Sequence, residues 1–258
     1  MKEASERADH EAQSGAGSRP APLAEERPVS IVVGSKRLAV LMCTPRELDE
    51  LAIGYLFSRG VIAFREELAS FFICSDRSAV NIRLHDERGI DSLPELFLPS
   101  GCGAAAPEGE PRVLIAPKVP PGSTGVTLAD VGSSMRNMFG RAEIHRATGG
   151  VHCASLRLGS GELLVREDVG RHNAVDKLLG RMVLDALDLE GAVLLTSGRI
   201  AWDIVHKAAM AGLPLIASRS IPTNAAFDLA METGITLIGR ATSPGAIVYS
   251  HKERIDES

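Results

Sequence analysis

The chain has 258 residues, of which 45% are hydrophobic and 24% are charged, which is enough apolar sequence for one large domain or two smaller ones. The formal net charge of −5 argues against binding to nucleic acid or to an anionic membrane by bulk electrostatic attraction. No apolar run is long enough to span a bilayer.

The first 28 residues are predicted to be a disordered tail. They are polar and small, and Leu23 is their only branched aliphatic residue, so they cannot bury enough apolar surface to offset their chain entropy. They also lack the apolar core of a secretory signal. We expect a protein of the reducing cytoplasm, because its four thiols are too widely spaced for a close metal-binding motif. These thiols belong to Cys43, Cys74, Cys102 and Cys153.

Residues 29–98 are predicted to form a small α+β domain. The segment VSIVVGSKRLAVLM places two apolar strands around Gly34 and Ser35, as in a hairpin. A helix should follow, with Thr44 as its N-cap, Pro45 as its first residue and Glu47 completing a capping box. Phe71–Leu84 resembles further strands. The apolar face of the helix, and the glycine that ends it, are predicted at Leu48, Leu51, Ala52, Tyr55, Leu56 and Gly60.

Residues 99–125 are predicted to be a flexible loop and linker, because the chain from Pro94 to Gly125 is rich in Pro, Gly and Ala. Cys102 lies in this loop between two glycines, where a thiol can reach a partner's active site. Cys43 and Cys74 lie in or beside apolar strands and are expected to be buried and inert. From the residues alone, a catalytic role and an incidental role for Cys102 both remain open.

Residues 126–258 are predicted to form an α/β domain with a largely parallel sheet, because strands and helices alternate along them. Thr127 should cap a helix that runs through Phe139, and residues 149–170 should form a strand, a turn and a returning strand. The remaining helices are predicted at 171–187, 199–212 and 222–234, and the remaining strands at 191–198, 213–218, 235–242 and 246–251.

Three polar segments fall where ligands bind in open α/β sheets, beyond the carboxyl ends of strands. The first is DVGRHNAVDK, in which Gly170 allows close approach of a ligand and the helix N-terminus favours phosphate or another anion. A capped helix start with solvated charges explains the same residues equally well. The candidate binding residues here are Gly170, Arg171, His172, Asn173, Asp176 and Lys177.

The second and third segments are TSGR, residues 196–199, and AIVYSH, residues 246–251. TSGR joins a buried strand to a helix and resembles a phosphate cradle, although a tight strand-to-helix turn is the simpler alternative. In the third segment Tyr249 and His251 share one face of a strand, where they could contact a ring or a carbonyl. The candidate binding residues are Ser197, Gly198, Arg199, Ala246, Ile247, Val248, Tyr249, Ser250 and His251.

Two pairs of ring- or thiol-bearing residues favour structural roles. His152 and Cys153 are adjacent, so they face opposite sides of a strand and make a poor catalytic dyad. Trp202 and His206 are four residues apart on a helix, which indicates packing.

These segments together resemble the FdhD/NarQ family, the formate dehydrogenase accessory sulfurtransferases. The resemblance runs from about Arg27 to Ile255, and it implies a cytidine-deaminase-like, three-layer C-terminal domain beside a smaller α+β domain, in a homodimer. Zinc deaminases need His-x-Glu and Pro-Cys-x-x-Cys. The chain has HNA and SGRIAW at the matching helix starts, so no zinc is expected. The motifs that carry the resemblance are TGGVH (148–152), REDVGRHNAVDK (166–177), SGR (197–199), KAAMAGLPLIAS (207–218) and VYSH (248–251).

The resemblance implies a sulfur carrier. Such proteins pass sulfur from a cysteine desulfurase to the bis(molybdopterin guanine dinucleotide) molybdenum cofactor, which they bind as cargo and which formate dehydrogenase requires. It also implies a persulfide on Cys102, but the family loop Cys-Gly-x-Cys-Gly is here Cys-Gly-Ala-Ala-Ala, so Ala105 replaces the second cysteine. A single thiol can carry a persulfide but cannot expel sulfide through an internal disulfide. A cofactor-binding chaperone without sulfur chemistry is therefore the alternative.

Overall fold

The structure, a computed structural model, describes residues 22–98, 117–122 and 124–256. No helix within these ranges is both long and apolar enough to cross a membrane. Most of the predicted tail, and most of the predicted loop and linker at residues 99–125 with Cys102, lie outside the described residues. The division of the chain into domains stays a prediction, and the elements are grouped below by the sheet to which they belong.

The first sheet has five strands in the order β3-β4-β1-β2-β5. The predicted hairpin is confirmed, because β1 and β2 pair antiparallel around a turn in which Gly34 has φ of 61°. One helix follows the hairpin. The elements are β1 (Arg27–Val33), β2 (Lys36–Cys43), α1 (Leu48–Ser58), β3 (Leu68–Ile73), β4 (Ala79–Leu84) and β5 (Leu96–Leu98).

The second sheet has six strands, and helices lie between several of them. The elements from residue 126 onward are β6 (Val126–Thr127), α2 (Leu128–Arg141), α3 (Glu143–Thr148), β7 (His152–Arg157), β8 (Leu163–Asp168), α4 (Arg171–Asp185), β9 (Val193–Thr196), α5 (Trp202–Met210), β10 (Leu215–Ser218), α6 (Asn224–Thr233), β11 (Thr236–Gly239), β12 (Ile247–Val248) and β13 (Ile255–Asp256). The strand order of the second sheet is β12-β11-β10-β9-β7-β8, and β13 pairs separately with β6.

The second sheet is mixed, so the expectation of a largely parallel sheet is wrong. Strands β9, β10 and β11 are parallel, whereas β7 is antiparallel to both β8 and β9, and β12 is antiparallel to β11. The physical reason is connection length. The turns between β7 and β8 and between β11 and β12 are too short to hold the crossover that a parallel pair requires.

Helices cover both faces of the second sheet, which confirms the predicted three-layer α/β architecture. Successive residues of β9 illustrate it, because Leu194 packs into the same core as α4, α5 and α6, whereas Val193 and Leu195 pack into a second core with α2. This is the period-two alternation of a strand that is buried on both faces.

Helix α1 lies between the first sheet and α4, and its backbone touches that of α4 at two glycines. A Cβ atom on Gly54 would lie 1.8 Å from the carbonyl oxygen of Asp176, and one on Gly180 would lie 1.8 Å from that of Glu50. The predicted apolar face of α1 is buried, but so is nearly all of the rest of the helix. The two parts of the chain therefore share one continuous core.

The predicted capping box at the start of α1 is wrong. The helix begins at Leu48, and its N-cap is Glu47, which has left-handed backbone angles (φ 44°) and makes no side-chain capping bond. The Thr44 hydroxyl instead accepts a hydrogen bond of 3.1 Å from the backbone N–H of Val169. The predicted cap of α2 is confirmed, because the Thr127 side chain accepts from the backbone N–H of Asp130.

The short helix α3 has no capping residue of its own in the sequence. The carboxylate of Glu167, on β8, accepts hydrogen bonds from the backbone N–H groups of Ile144 (3.0 Å) and His145 (2.6 Å) at its first turn. A negative charge at a helix N-terminus is stabilising, so the tertiary fold supplies the cap.

Replacement of Gly54 by Ala is expected to destabilise the protein by about 3 kcal/mol or more, because the new Cβ overlaps a backbone carbonyl that cannot move without separating α1 from α4. Gly140→Ala is the matched control. Gly140 also lies in a helix, but nothing lies within 4 Å of its Cβ position, so the free energy of unfolding should stay equal or rise by up to about 1 kcal/mol. Urea denaturation of both variants measures the difference, and equal midpoints would contradict the backbone contact.

Candidate anion-binding site

A cleft of about 400 Å³ opens at the carboxyl ends of β9 and β10. The loops that follow these two strands form its floor, and the start of α4 forms one side. Strand β7 runs antiparallel to β9, so its first residue reaches the same edge of the sheet. The residues that line the cleft are His152, Arg171, Ser197, Gly198, Arg199, Arg219 and Ser220.

Gly198 allows the two sides of the cleft to approach each other. A Cβ atom at this position would lie 3.0 Å from Cδ of Arg171 and 3.5 Å from Nδ1 of His152. The loop around it is held by hydrogen bonds from the Gly198 N–H to the Thr196 hydroxyl (3.1 Å) and from the Ser218 hydroxyl to the Gly198 carbonyl (2.5 Å). Only glycine fits here without displacing the arginine side chain.

The cleft is strongly cationic. Three of its seven lining residues are arginines, and none is acidic. Arg199 and Arg219 are exposed, and the guanidinium of Arg219 lies 5.2 Å from the ring centroid of Phe139 on α2, within cation–π range. The Nε atom of Arg171 is buried and has no hydrogen-bond partner among the described residues. Convergent guanidinium groups of this kind suit phosphate or carboxylate groups of a ligand.

His152 is neutral near pH 7 in this environment. Burial lowers its pKa, and the positive charge of Arg171, together with His145, His172 and Arg219, lowers it further. Its Nδ1 atom lies 3.2 Å from the Ser197 hydroxyl, which also accepts a hydrogen bond from the backbone N–H of Cys153 (3.1 Å). A neutral imidazole beside three guanidinium groups can offer a hydrogen bond to an anion, and an anion would favour its protonation.

Of the sequence-predicted binding residues, the cleft brings together Arg171, Ser197, Gly198 and Arg199. Gly170 precedes Arg171 as the N-cap residue of α4. The remaining predicted residues of α4 have buried side chains that contact other protein groups, although Nδ1 of His172 and Oδ1 of Asp176 have no hydrogen-bond partner among the described residues. They lie beneath or beside the cleft and do not line it.

Lys177 is wholly buried and forms an ion pair with Asp168, which is also wholly buried, at 2.9 Å. The ammonium group also donates to the carbonyl oxygens of Glu167 (2.9 Å) and Thr44 (3.2 Å). Burial raises the pKa of Asp168, and the charge of Lys177 acts in the opposite direction. This pair joins the start of α4 to the end of β2, so the geometry gives Lys177 a structural role.

Asn173 completes the same buried cluster. Its Nδ2 atom donates to the Asp168 carboxylate and to the carbonyl oxygen of Met42, both at 2.9 Å. The Asp168 carboxylate also accepts from the backbone N–H groups of Gly170 (2.9 Å) and Thr44 (3.1 Å). The turn that precedes Arg171 is therefore fixed from both sides.

Two further polar contacts join α4 and α5. Nε2 of His172 pairs with the Asp203 carboxylate, and Asp176 pairs with Lys207 at 2.6 Å. Burial raises the pKa of Asp203, but the hydrogen bond and charge of His172, with smaller effects of Lys207 and Arg171, leave it below its ordinary value. His172 and Asp176 thus position α4 against α5.

The third predicted segment, residues 246–251, does not line the cleft, although Tyr249 lies close to it. The Tyr249 ring packs over Gly239, and the carbonyl oxygen of Ser220 lies beside the same glycine. The Ser250 hydroxyl bonds the backbone of Ile235 and Leu237, and the His251 ring lies 3.1 Å from Glu253. Binding of the cofactor by this segment stays a prediction, and so does a role for its Ala246, Ile247 and Val248.

The structure adds His152, Arg219 and Ser220 to the site. Arg219 and Ser220 directly follow the predicted strand LPLIAS, so the rule about carboxyl ends of strands could have found them. His152 could not be found from its neighbour Cys153, because its partner Ser197 lies on the adjacent strand's loop.

The described cysteines differ in environment. Burial raises the pKa of Cys43 to about 12, with a smaller contribution from Asp168, and burial raises that of Cys153 to about 11. Cys74 is half-buried, so the expectation that it is buried is wrong. It lies in the turn after β3, where its sulfur accepts from Asn81 Nδ2 at 3.3 Å. Cys102 lies outside the described residues. Within residues 22–98, 117–122 and 124–256, no three His, Cys, Asp or Glu side chains are arranged to hold a metal ion.

Lys177→Met is expected to cost about 3–5 kcal/mol in the free energy of unfolding, because it leaves the buried Asp168 carboxylate without its cation. The exposed Arg199→Ala should change stability by less than about 0.5 kcal/mol while weakening anion binding. Chemical denaturation and calorimetric titration with sulfate measure the two effects. A Lys177→Met protein of normal stability with reduced sulfate affinity would instead make Lys177 a ligand-binding residue.

Sulfate binding is expected to tighten as the pH falls below the ordinary histidine pKa of 6.5, by at most tenfold per pH unit. The free protein holds His152 neutral, whereas a bound dianion offsets the nearby positive charges and raises its pKa, so binding takes up a proton. Sulfate keeps a constant charge in this range, which makes it the right probe. His152→Gln should remove the pH dependence, and an unchanged slope in that variant would assign it to another group.

The sequence pattern of the FdhD/NarQ family matches residues 24–256. Sulfur carrier protein FdhD of Shouchella clausii is 36% identical over 243 residues, covering 91% of this chain and 90% of that protein. The protein of the same name from Sulfurisphaera tokodaii is 34% identical over 238 residues, covering 90% and 91%. A crystal structure assigned as a formate dehydrogenase accessory protein from Desulfotalea psychrophila superimposes with a TM-score of 0.73 at 27% identity, covering 91% of this chain and 90% of that one.

The motifs that line and support the cleft lie within the matched range. Because the family pattern and the relatives each span about nine-tenths of the chain, this chain belongs to the FdhD/NarQ family.

Proposed function

We propose that this chain is a cytoplasmic sulfur carrier that passes sulfur from a cysteine desulfurase, through a persulfide on Cys102, to bis(molybdopterin guanine dinucleotide) for formate dehydrogenase. The observation that carries the cargo-binding part is the cleft with Arg171, Arg199 and Arg219 and no carboxylate. Guanine dinucleotide arms carry phosphate groups, which guanidinium clusters recognise. The names of the relatives, sulfur carrier protein FdhD, support the same activity.

The size of the cleft supports binding of one arm of the cofactor. Its volume of about 400 Å³ falls in the range of small-molecule sites and suits a nucleotide-sized group better than a two-armed cofactor. A homodimer, which we also propose, would offer one such cleft to each arm.

The proposed chemistry at Cys102 begins with its thiolate. The thiolate attacks the terminal sulfur of the desulfurase persulfide, a new S–S bond forms, and the desulfurase cysteine leaves as a thiolate. Release as sulfide needs two electrons, and Ala105 cannot supply them, so an external thiol must attack the persulfide and form a mixed disulfide as sulfide leaves. The raised pKa values of Cys43 and Cys153 make both of them poor alternatives to Cys102.

The direction of β5 also supports the proposed role of Cys102 as the persulfide carrier. Strand β5 runs parallel to β2, and its last residue, Leu98, pairs with Leu41. Thr44 directly follows β2, and it contacts Asp168 and Val169 just before the cleft residue Arg171. Cys102 follows Leu98 by four residues, which reach at most about 14 Å. Leu98 therefore lies toward the side of the first sheet that meets the start of α4.

The alternative proposal is a chaperone that binds the cofactor and transfers no sulfur. The observation that favours it is Ala105, which stands where the family loop has its second cysteine. Both proposals use the same cleft, so only the chemistry at Cys102 separates them.

Incubation with a cysteine desulfurase and cysteine is expected to add one reducible sulfur atom to the wild-type chain, measured by intact-mass spectrometry. Cys102→Ala should abolish the gain, because it removes the accepting thiolate. Cys74→Ala, which removes the half-buried thiol, is the matched control and should still gain sulfur. Full activation of formate dehydrogenase by Cys102→Ala would favour the chaperone.

A further inference from the structure

A partly exposed tryptophan begins the helix that follows one of the loops lining the cationic cleft. Trp202 is the first residue of α5 and follows the cleft residue Arg199 by three positions. It is 40% exposed, and its indole stacks on the His206 ring with centroids 5.1 Å apart and planes 15° from parallel. It is also the only tryptophan in the chain. Packing on His206 thus fixes the plane of a large ring that still contacts solvent.

The chain on the other side of the cleft also continues into an exposed apolar side chain. Ile221 follows the cleft residue Ser220 and is 44% exposed. The two segments run side by side, because the Ile200 N–H donates to the carbonyl of Ile221 (3.3 Å) and the Thr223 N–H donates to that of Ile200 (3.0 Å). Apolar surface therefore adjoins the arginines where both lining loops end.

The first turn of α5 is also fixed to the arginine side of the cleft. Asp203, the neighbour of Trp202, pairs with His172, the neighbour of Arg171. Side chains on a helix lean toward its N-terminus, and the N-terminus of α5 lies at the cleft edge of the sheet. The Trp202 ring is therefore placed on the cleft end of its helix.

We infer that Trp202 is a stacking platform for the planar ring of a ligand whose phosphate groups lie among Arg171, Arg199 and Arg219. The ligand class is a purine- or pterin-type ring that carries phosphate. This inference rests on the proposed function and adds the residue that recognises the ring. Stacking on an aromatic side chain tolerates different bases, so the platform should accept guanine and adenine rings with similar strength.

The experiment uses guanosine diphosphate as the probe with a ring and inorganic pyrophosphate as the probe without one. Because Trp202 is the only tryptophan, its fluorescence reports on this position alone. We expect saturable quenching by guanosine diphosphate beyond that of free N-acetyltryptophanamide, and calorimetric binding of pyrophosphate without such quenching. Trp202→Leu should weaken guanosine diphosphate binding about tenfold and leave pyrophosphate binding unchanged, whereas Trp202→Phe should keep most of the affinity.

Three outcomes overturn the inference. One is wild-type affinity for guanosine diphosphate in Trp202→Leu. Another is binding of this nucleotide without quenching, and a loss of affinity in Tyr249→Leu would then assign the ring to Tyr249. The third is failure of both probes to bind, which would also remove the anion cleft from the proposed function. If Trp202→Leu binds pyrophosphate and also keeps wild-type affinity for guanosine diphosphate, the proposed function stands and only the stacking role of Trp202 is refuted.

Discussion

The buried ion pair of Asp168 and Lys177 is the interaction on which the arrangement of the site depends. Two opposite charges with no solvent exposure are stable only when every remaining donor and acceptor is satisfied. Here the Lys177 ammonium donates to the carbonyl oxygens of Glu167 on β8 and of Thr44 just after β2, and the Asp168 carboxylate accepts from the backbone N–H groups of Thr44 and Gly170. The pair therefore fixes the position of Arg171 relative to the first sheet, and the position of one guanidinium in the cleft follows from it.

The contact between α1 and α4 is the second constraint on the same helix. Gly54 and Gly180 bring the two backbones together, and Arg166 of β8 forms two hydrogen bonds with the carboxylate of Glu50 on α1. Helix α4 is thus held by the first sheet through α1, by the second sheet and by α5. A binding group on so constrained a helix is pre-organised, which lowers the entropy lost when a ligand binds.

Local sequence signals predicted the helices and strands, whereas contacts between distant parts of the chain determine the roles of individual side chains. The hairpin of β1 and β2 and the cap of α2 at Thr127 depend on residues within a few positions of each other, so their patterns were sufficient. Thr44 was misassigned as a cap because its true partner, Val169, lies in another part of the chain. Lys177 resembled a ligand-binding residue for the same reason, since its burial depends on β2 and β8. The sequence predicted Arg171, Ser197, Gly198 and Arg199 of the cleft lining. It did not predict His152, because the pairing of β7 with β9 is what brings His152 beside Ser197 and Gly198.

The two buried thiols, those of Cys43 and Cys153, bear on the proposed function as a sulfur carrier. At pH 7, thiols with pKa values of about 11 and about 12 hold only about one molecule in ten thousand, or fewer, as thiolate. Cys153 and Cys43 therefore compete poorly for a persulfide formed elsewhere on the same chain, and burial also blocks the approach of the attacking sulfur. Under the proposed function, their placement in the core protects a persulfide on Cys102 from exchange within the chain and keeps its sulfur available for transfer to a partner.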